Sequence, residues 1–263
     1  MATVVAVMDR GSWDASTDCL VLVDPARETL LWIPRDLWCE RMRRRINGAF
    51  ASGGAAALLA AIARHGLHAA GVLCLRREAT EAALREASVT VPVARKLAYW
   101  YPLTPVARLE DGRRLVTFHP PAETLRGERI HQWLGARTAA GPRPPPAAGP
   151  IARLARAVFR PAPRLPDLER IARQQIFVRE LLRSGFDFSP VIATSDWVSC
   201  TGPGALDDLR QVHAGWRFRT LPGLEPRTID GVQALVRTSP STARRAVGEL
   251  LQRARLATGT GRP

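Results

Sequence analysis

Two short apolar runs joined by a turn constrain the fold more than any other feature of the sequence. Cys19–Asp24 and Thr29–Ile33 are each typical of a β-strand, and the sequence Pro-Ala-Arg-Glu links them. When the residues that flank this turn are paired, counting back along the hairpin places Asp18 opposite Arg35. An acid and an arginine are therefore expected at the same end of a sheet.

Strands and helices alternate over most of the chain. Short apolar runs predict strands, and longer runs with apolar residues on one face predict helices. The further expected strands are Thr3–Val7, Gly71–Leu75, Leu115–Phe118 and one near Val232–Arg237, and the expected helices are an Ala/Leu segment that follows Gly54 and stops near Gly66, Glu78–Ala87, Thr124–Arg137, Asp167–Leu181, one near Leu206–Val212 and a last one from Ser241. Alternating elements with at least one hairpin predict an α/β sandwich with a mixed sheet.

Arginine dominates the charge of the chain. The net charge is +14, Lys96 is the only lysine, and aromatic residues make up 6%. Leu125–Arg183 holds twelve arginines and four acids, which gives 12 − 4 = +8. Such a charge implies an acidic partner: nucleic acid, an anionic membrane or a phosphorylated ligand. Nucleic acid is the least expected of the three, because no stacking array of aromatic residues interleaves with the arginines.

The cysteines form no recognisable metal or redox motif. Cys19, Cys39, Cys74 and Cys200 lie far apart without a Cys-x-x-Cys pair, which argues against a zinc site and against a disulfide framework. Cys19 and Cys74 lie in apolar runs and are expected to be buried thiols. The sequence also contains no P-loop, Gly-x-Ser-x-Gly or Gly-x-Gly-x-x-Gly motif.

No signal peptide or transmembrane segment is expected. The longest apolar run, Ala55–Ala63, is much shorter than the roughly 20 residues that a membrane-spanning helix needs. The N-terminal residues lack a basic region and reach an aspartate, Asp9, too early for a signal peptide. The sequence thus predicts a cytoplasmic or membrane-peripheral location.

The predicted helix Asp167–Leu181 places two arginines and a glutamine close together. Arg170, Arg173 and Gln174 share one helix face and lie beside an apolar stripe. Guanidinium groups near a helix N-terminus favour an anion such as phosphate. A solvated basic face is the alternative, and for any single arginine it is the more common arrangement.

Two carboxylates are expected to converge at the edge that holds Arg35. Asp9 ends the first strand, and the loop that follows returns to Asp18 at the start of the second. Paired carboxylates suit a hard divalent cation, typically Mg²⁺, that also binds phosphate oxygens. An ordinary ion pair between Asp18 and Arg35 at the strand ends is the alternative.

The order of these motifs resembles that of the LytR–CpsA–Psr family of cell-envelope proteins. The family shows an Asp after its first strand, an Asp that opens the next strand, an Ile-Pro-Arg-Asp motif, a Lys-Ile-Asn-Ala-Ala type motif before Gly-Gly, a Leu-Asn-Gly-Glu helix that ends in arginines, and an Asp-x-x-Arg-x-x-Arg-Gln helix. This chain shows, in the same order, Asp9, "TDCLVLV", "IPRDLW", "RINGAFASGG", "LRGERIHQWLGAR" and "DLERIARQQ". The motifs extend from about Thr3 to Arg183.

The resemblance implies a three-layer α/β/α sandwich with a central mixed β-sheet, as a single domain over residues 1–263. It also implies a transferase that moves a polyprenyl-pyrophosphate-linked glycan onto peptidoglycan or a related acceptor, with Mg²⁺ on the pyrophosphate. By motif, Asp9 and Asp18 would hold the metal, and Asp9, Asp18, Arg35 and Arg170 would be catalytic. The phosphate ligands would be Arg35, Arg45, Arg137, Arg170, Arg173 and Gln174.

The chain departs from the family pattern in several places. Ser16 and Gly135 stand where the family commonly has arginine, and Arg45 stands where it usually has lysine. The resemblance would lead one to expect a membrane anchor that holds the protein on the extracytoplasmic side, but the sequence predicts none. A Pro-rich basic insertion occupies about residues 138–166, and its segment Ile151–Arg160 suits either a short helix on an anionic bilayer or a flexible basic loop.

The sequence leaves more than one function open. The leading interpretation is an envelope glycopolymer transferase, an enzyme of the phosphotransferase type. The first alternative is a protein that binds polyprenyl (pyro)phosphate, or a pyrophosphatase, without transferase activity. A less expected alternative is an arginine-rich nucleic-acid binder.

Overall fold

The computed structural model describes residues 2–8, 17–103, 112–135, 138–139, 168–187, 198–202 and 204–238. The strands are β1 (Thr3–Met8), β2 (Thr17–Asp24), β3 (Thr29–Ile33), β4 (Trp38–Cys39), β5 (Arg44–Arg45), β6 (Gly71–Leu75), β7 (Ser88–Pro92), β8 (Leu97–Pro102), β9 (Arg113–Phe118), β10 (Ala122–Arg126), β11 (Thr138–Ala139), β12 (Val198–Thr201), β13 (Arg217–Thr220), β14 (Leu224–Ile229) and β15 (Val232–Arg237). The helices are α1 (Ala49–Ala63), α2 (Arg77–Ala83), α3 (Glu128–Gly135), α4 (Leu168–Arg183) and α5 (Ala205–Arg210).

A six-stranded mixed sheet forms the centre of the molecule, in the order β12-β6-β1-β2-β3-β13. The pairs β1–β6 and β3–β13 are parallel, whereas β1–β2, β2–β3 and β6–β12 are antiparallel. In the β2–β3 hairpin, Asp24 pairs with Thr29 and Leu20 with Ile33, which confirms the predicted register. The hairpin therefore brings the residues before β2 and after β3 to one edge.

Strand alternation gives the sheet two apolar faces. One face, which includes Leu20 and Leu22, packs with Leu58 and Ile62 of α1. The other face, which includes Val23, packs with α4 and α5. Helices thus cover both faces, and the predicted α/β/α sandwich is confirmed.

A second apolar core lies beside the sheet. The antiparallel pair β7–β10 and the three-stranded sheet β11-β8-β9 enclose it together with α3 and α4. Phe118 and Trp133 lie at its centre, with their rings edge to face at 4.9 Å between centroids. The side of α4 that carries Phe177 and Leu181 packs into this core. Helix α4 therefore joins the second core to the central sheet.

The predicted helix Thr124–Arg137 is wrong in its first part. Ala122–Arg126 forms strand β10, which pairs with β7, and the helix begins only at Glu128. Gly127 lies between them with φ 48°, a conformation that glycine adopts without strain. Cross-strand pairing, including a 3.0 Å contact between the hydroxyls of Thr90 and Thr124, outweighs the local helical pattern.

Two further predictions differ from the structure or lie outside it. Helix α2 ends at Ala83, four residues before the predicted end. The Pro-rich insertion at about 138–166 and the last helix from Ser241 lie outside the described residues, apart from β11 at the start of the insertion.

Among the described residues, one stretch is apolar and long enough for a membrane span, the 18 residues Ile46–Ala63. Its backbone is not one continuous helix, because Gly53 and Gly54 have non-helical dihedral angles. Leu58 and Ile62 are fully buried against the sheet. In this fold the stretch serves as the helical layer on one face of the sheet.

Candidate functional site

The site is centred on an irregularity at the start of β2. Val7 pairs with Cys19, but Met8 pairs with Thr17, so Asp18 is an extra residue in a β-bulge. Without the bulge, the period of two would place Asp18 on the α1 face of the sheet with Leu20. A bulge re-aims side chains, and here Asp18 contacts α4, which covers the opposite face.

Asp18 is held between two arginines from different elements. Its Oδ1 accepts a hydrogen bond from Nη1 of Arg35, which follows β3, and a second from Nη1 of Arg170 in α4 at 3.1 Å. Nη2 of Arg170 also donates to the Asp18 carbonyl oxygen. The side chains of Asp18, Arg35 and Arg170 are 27%, 11% and 2% exposed, respectively. This cluster of three residues, the Asp18 cluster, carries a formal charge of +1 and lies at a solvent-accessible edge, so it can attract an anion.

Gln174 extends the contact between α4 and β2. The Sγ of Cys19 donates to its Oε1 at 3.6 Å. Asp18 and Cys19 are consecutive in β2, and their partners Arg170 and Gln174 are one helical turn apart, so the helix contacts the strand at two points. Gln174 and Arg170 are both buried, which excludes the alternative of a solvated helix face for these two residues.

Arg173 lies in the same stretch of α4 but contacts the second core. Its Nε donates to the carbonyl oxygen of Trp133 at 3.1 Å, and its Nη1 donates to the hydroxyl of Tyr99 at 2.5 Å. Burial lowers the pKa of Arg173, and the interaction with the Tyr99 hydroxyl, which accepts its hydrogen bond, opposes that change. Its predicted role as a phosphate ligand stays a prediction, and the structure shows these donors engaged with the second core.

Arg45 contacts a different part of the molecule. Its Nη1 lies 3.0 Å from Oδ1 of Asp36, and its Nε donates to the carbonyl oxygen of Gln233 at 2.9 Å. The turn after it supports the edge instead: the amide of Asn47 donates to the carbonyl of Arg35 at 3.2 Å. Asn47 was not singled out by its sequence context, because it acts through its backbone. The phosphate-binding role of Arg45 stays a prediction.

Asp9 and Arg137 lie outside the described residues, so the convergence of Asp9 on Asp18 and of Arg137 on the arginines stays a prediction. Within the described part of the chain, no group of three or more His, Cys, Asp or Glu side chains could hold a metal ion. Asp18 offers one hard oxygen-donor carboxylate at the edge. That donor set fits a Mg²⁺ ion whose other ligands are phosphate oxygens and water.

Comparison with known proteins gives a match at the level of structure. No family profile and no curated protein sequence matches the chain. TagT bound to LI-WTA matches with a TM-score of 0.59 at 14% identity, over 96% of this chain and 89% of that one. Protein gbs0355 from Streptococcus agalactiae gives 0.61 at 14% identity, over 96% and 86%. TagV from B. subtilis gives 0.56 at 14% identity, over 96% of both chains. The chain therefore has the LytR–CpsA–Psr fold that its sequence motifs predicted.

Proposed function

We propose that this chain is a cell-envelope glycopolymer transferase, which takes a glycan from a polyprenyl pyrophosphate and attaches it to peptidoglycan or a related acceptor. The observation that carries the proposal is the Asp18 cluster, in which Arg35 and Arg170 converge on one carboxylate at a sheet edge. The fold supports it, because a structural neighbour, TagT, was solved with LI-WTA bound.

The proposed reaction breaks a phosphoanhydride bond of the pyrophosphate and forms a phosphoester bond to the acceptor, so the glycan moves together with its phosphate. A hydroxyl oxygen of the acceptor attacks the phosphorus on the glycan side, and the bond from that phosphorus to the bridging oxygen breaks. Polyprenyl phosphate leaves with the bridging oxygen, and the hydroxyl proton passes to a base. Negative charge develops on the bridging and leaving oxygens, so nearby guanidinium groups lower the barrier.

The Asp18 cluster suits this chemistry because its arginines are already in place. Arg170 is anchored by the carboxylate and the carbonyl of Asp18, and Arg35 by the same carboxylate oxygen. Fixed donors need little reorganisation when the ligand arrives. One carboxylate of the pair Asp9 and Asp18 is proposed as the general base that takes the acceptor proton.

Mg²⁺ is the proposed cofactor, and Asp9 and Asp18 are its proposed ligands. When bound, the ion would neutralise charge on the pyrophosphate oxygens. The described residues contribute one carboxylate to such a site. The proposed lipid and glycan partners, and a peripheral contact with the membrane that holds the lipid, follow from the same substrate.

A second candidate is a protein that binds polyprenyl (pyro)phosphate, or a pyrophosphatase, without transfer to a glycan acceptor. One observation favours it: Gly135 ends α3 and offers no side chain where the family commonly has an arginine. With one guanidinium group fewer, the negative charge that develops in the transition state would be stabilised less. The site would then bind the lipid phosphate without transferring the glycan.

One assay separates these candidates. The chain is incubated with Mg²⁺, a polyprenyl-pyrophosphate-linked glycan and peptidoglycan fragments, and both glycan transfer and released polyprenyl phosphate are measured. The transferase forms the glycan–peptidoglycan product, and Arg35→Ala or Arg170→Ala abolishes it. The matched control is Arg179→Met, in an α4 arginine whose guanidinium lies over the Phe218 ring, and this variant retains the product. Release of lipid phosphate without the adduct supports a pyrophosphatase, and saturable binding without release supports a binder. No binding of the lipid at all would contradict both.

A further inference from the structure

We infer that Arg173 is a positioning residue, which fastens α4 to α3 and β8 so that Arg170 and Gln174 stay turned towards β2. The inference deepens the proposed function, and it rests on that function only for the ligand-binding part of its test. It assigns to Arg173 a role different from direct contact with phosphate.

Arg173 and Trp133 are joined by two hydrogen bonds that run in opposite directions. Nε of Arg173 donates to the carbonyl oxygen of Trp133 at 3.1 Å, and Nε1 of Trp133 donates to the carbonyl oxygen of Arg173 at 3.0 Å. The two residues are 5% and 1% exposed. Because each bond uses a side chain of one helix and the backbone of the other, the pair fixes both the distance between the helices and the rotation of α4.

Tyr99 holds the far end of the guanidinium. Its hydroxyl accepts from Nη1 at 2.5 Å, and its ring centroid lies 4.4 Å from Cζ of Arg173. A buried cation needs fixed partners to offset the loss of water. Trp133 is itself held edge to face by Phe118, so Arg173 is bound to a rigid part of the second core.

The place of Arg173 on α4 explains why rotation matters. It directly precedes Gln174 and follows Arg170 by three residues, and successive residues of an α-helix differ by about 100° in direction. A rotation of α4 by a fraction of that angle would move both Arg170 and Gln174 away from Asp18 and Cys19. The bonds of Arg173, which run to the second core from a neighbouring part of the helix surface, oppose that rotation.

The Cys19 thiol gives a readout that needs no ligand. It is half-buried under Gln174, whereas Cys39 and Cys74 are buried and burial raises the pKa of Cys39 to about 11. Loosening α4 should expose Cys19 to N-ethylmaleimide, and peptide mass mapping identifies the modified cysteine.

The variants are Arg173→Lys, Arg173→Met and Tyr99→Phe, with Arg179→Met as the matched control. Arg179 is another α4 arginine, and its guanidinium lies over Phe218 at 4.6 Å. Lysine keeps the charge but cannot supply both the Nε and the Nη1 bond. We expect Cys19 in Arg173→Lys and Arg173→Met to react about tenfold faster than in the wild type. Tyr99→Phe, which keeps the Trp133 pair, should give a smaller rise, and Arg179→Met none.

Binding of farnesyl pyrophosphate with Mg²⁺ is measured on the same proteins. A positioning role predicts that Arg173→Lys binds as weakly as Arg173→Met. The inference is overturned if Arg173→Lys keeps wild-type binding, or if neither Arg173→Lys nor Tyr99→Phe changes the alkylation rate of Cys19. If the wild type does not bind the lipid, the proposed function fails, while the alkylation rates still decide the role of Arg173.

Discussion

Two arginines on one helix, three residues apart and both buried, do different things. Arg170 faces the central sheet and contacts the carboxylate and the carbonyl of Asp18. Arg173 faces the second core and contacts a backbone carbonyl and a phenol, which are neutral. The comparison shows that burial alone does not identify a ligand-binding arginine. What distinguishes Arg170 is a second guanidinium, that of Arg35, on the same carboxylate at an edge that solvent reaches.

The largest effect is expected for Asp18→Ala, because it removes the carboxylate that both arginines of the Asp18 cluster contact. Arg170 and Arg35 lose their shared carboxylate, and the free energy of unfolding should fall by about 2–3 kcal/mol, less than for a fully buried pair. Mg²⁺-dependent binding of polyprenyl pyrophosphate should disappear. Urea unfolding and lipid binding check the two parts, with Asp207→Ala as the control, since Asp207 pairs with Arg210 on the exposed surface. Wild-type Mg²⁺ dependence in Asp18→Ala would remove Asp18 from the site.

Replacing each arginine of the Asp18 cluster should weaken ligand binding more than stability. Arg35→Ala and Arg170→Ala are each expected to reduce the affinity for polyprenyl pyrophosphate by about 2 kcal/mol, as charge-assisted hydrogen bonds do. Arg170→Ala should also destabilise the fold more than Arg35→Ala, because Arg170 is 2% exposed and Arg35 11%. Calorimetric titration at two salt concentrations measures the affinities. Variants that bind as tightly as the wild type would contradict the assignment.

Gln174 and Gln175 offer a matched test within one turn. Gln174 meets Cys19 beside Asp18, whereas Gln175 donates to the hydroxyl of Thr220 at 3.0 Å. Gln174→Leu should lower the affinity for polyprenyl pyrophosphate by about 1 kcal/mol, and Gln175→Leu should leave it unchanged. The same titration compares them. Equal losses in both variants would indicate a general effect of α4 on stability.

The smallest effect is expected for Arg45→Ala. Its ion pair with Asp36 is partly exposed, at 31% and 23%, so its loss should change the free energy of unfolding by no more than about 1 kcal/mol. If Arg45 is a phosphate ligand, as the motif predicts, the variant should nevertheless bind polyprenyl pyrophosphate more weakly. Unchanged affinity would show that Arg45, like Arg173, has a structural role and does not bind the ligand.

The edge that holds the site could be predicted from the sequence because a short turn fixes the register of a hairpin. Pairing across the turn placed Asp18 opposite Arg35, and the structure confirms that register. The bulge at Asp18 could not be predicted, because nothing in the alternation of apolar residues marks an extra residue. By period alone Asp18 would face α1 instead of α4.

The different contacts of Arg170 and Arg173 on α4 also could not be predicted from the sequence. Arg170 and Arg173 share a helix face by spacing, and spacing does not reveal which core each will meet. The apolar pattern marks Trp133 as a core residue but says nothing of the bond from its indole to Arg173. Thr124 shows the same limit, since a helical pattern there was overridden by pairing with a distant strand.

The central claim is that the Asp18 cluster binds the pyrophosphate of a polyprenyl lipid. A crystal structure of the chain with farnesyl pyrophosphate and Mg²⁺ tests it most directly. The account predicts phosphate oxygens within hydrogen-bond distance of the guanidinium groups of Arg35 and Arg170, with Arg173 still bonded to Trp133 and Tyr99. Density for the pyrophosphate elsewhere on the molecule, with the Asp18 cluster unchanged and unoccupied, would contradict it.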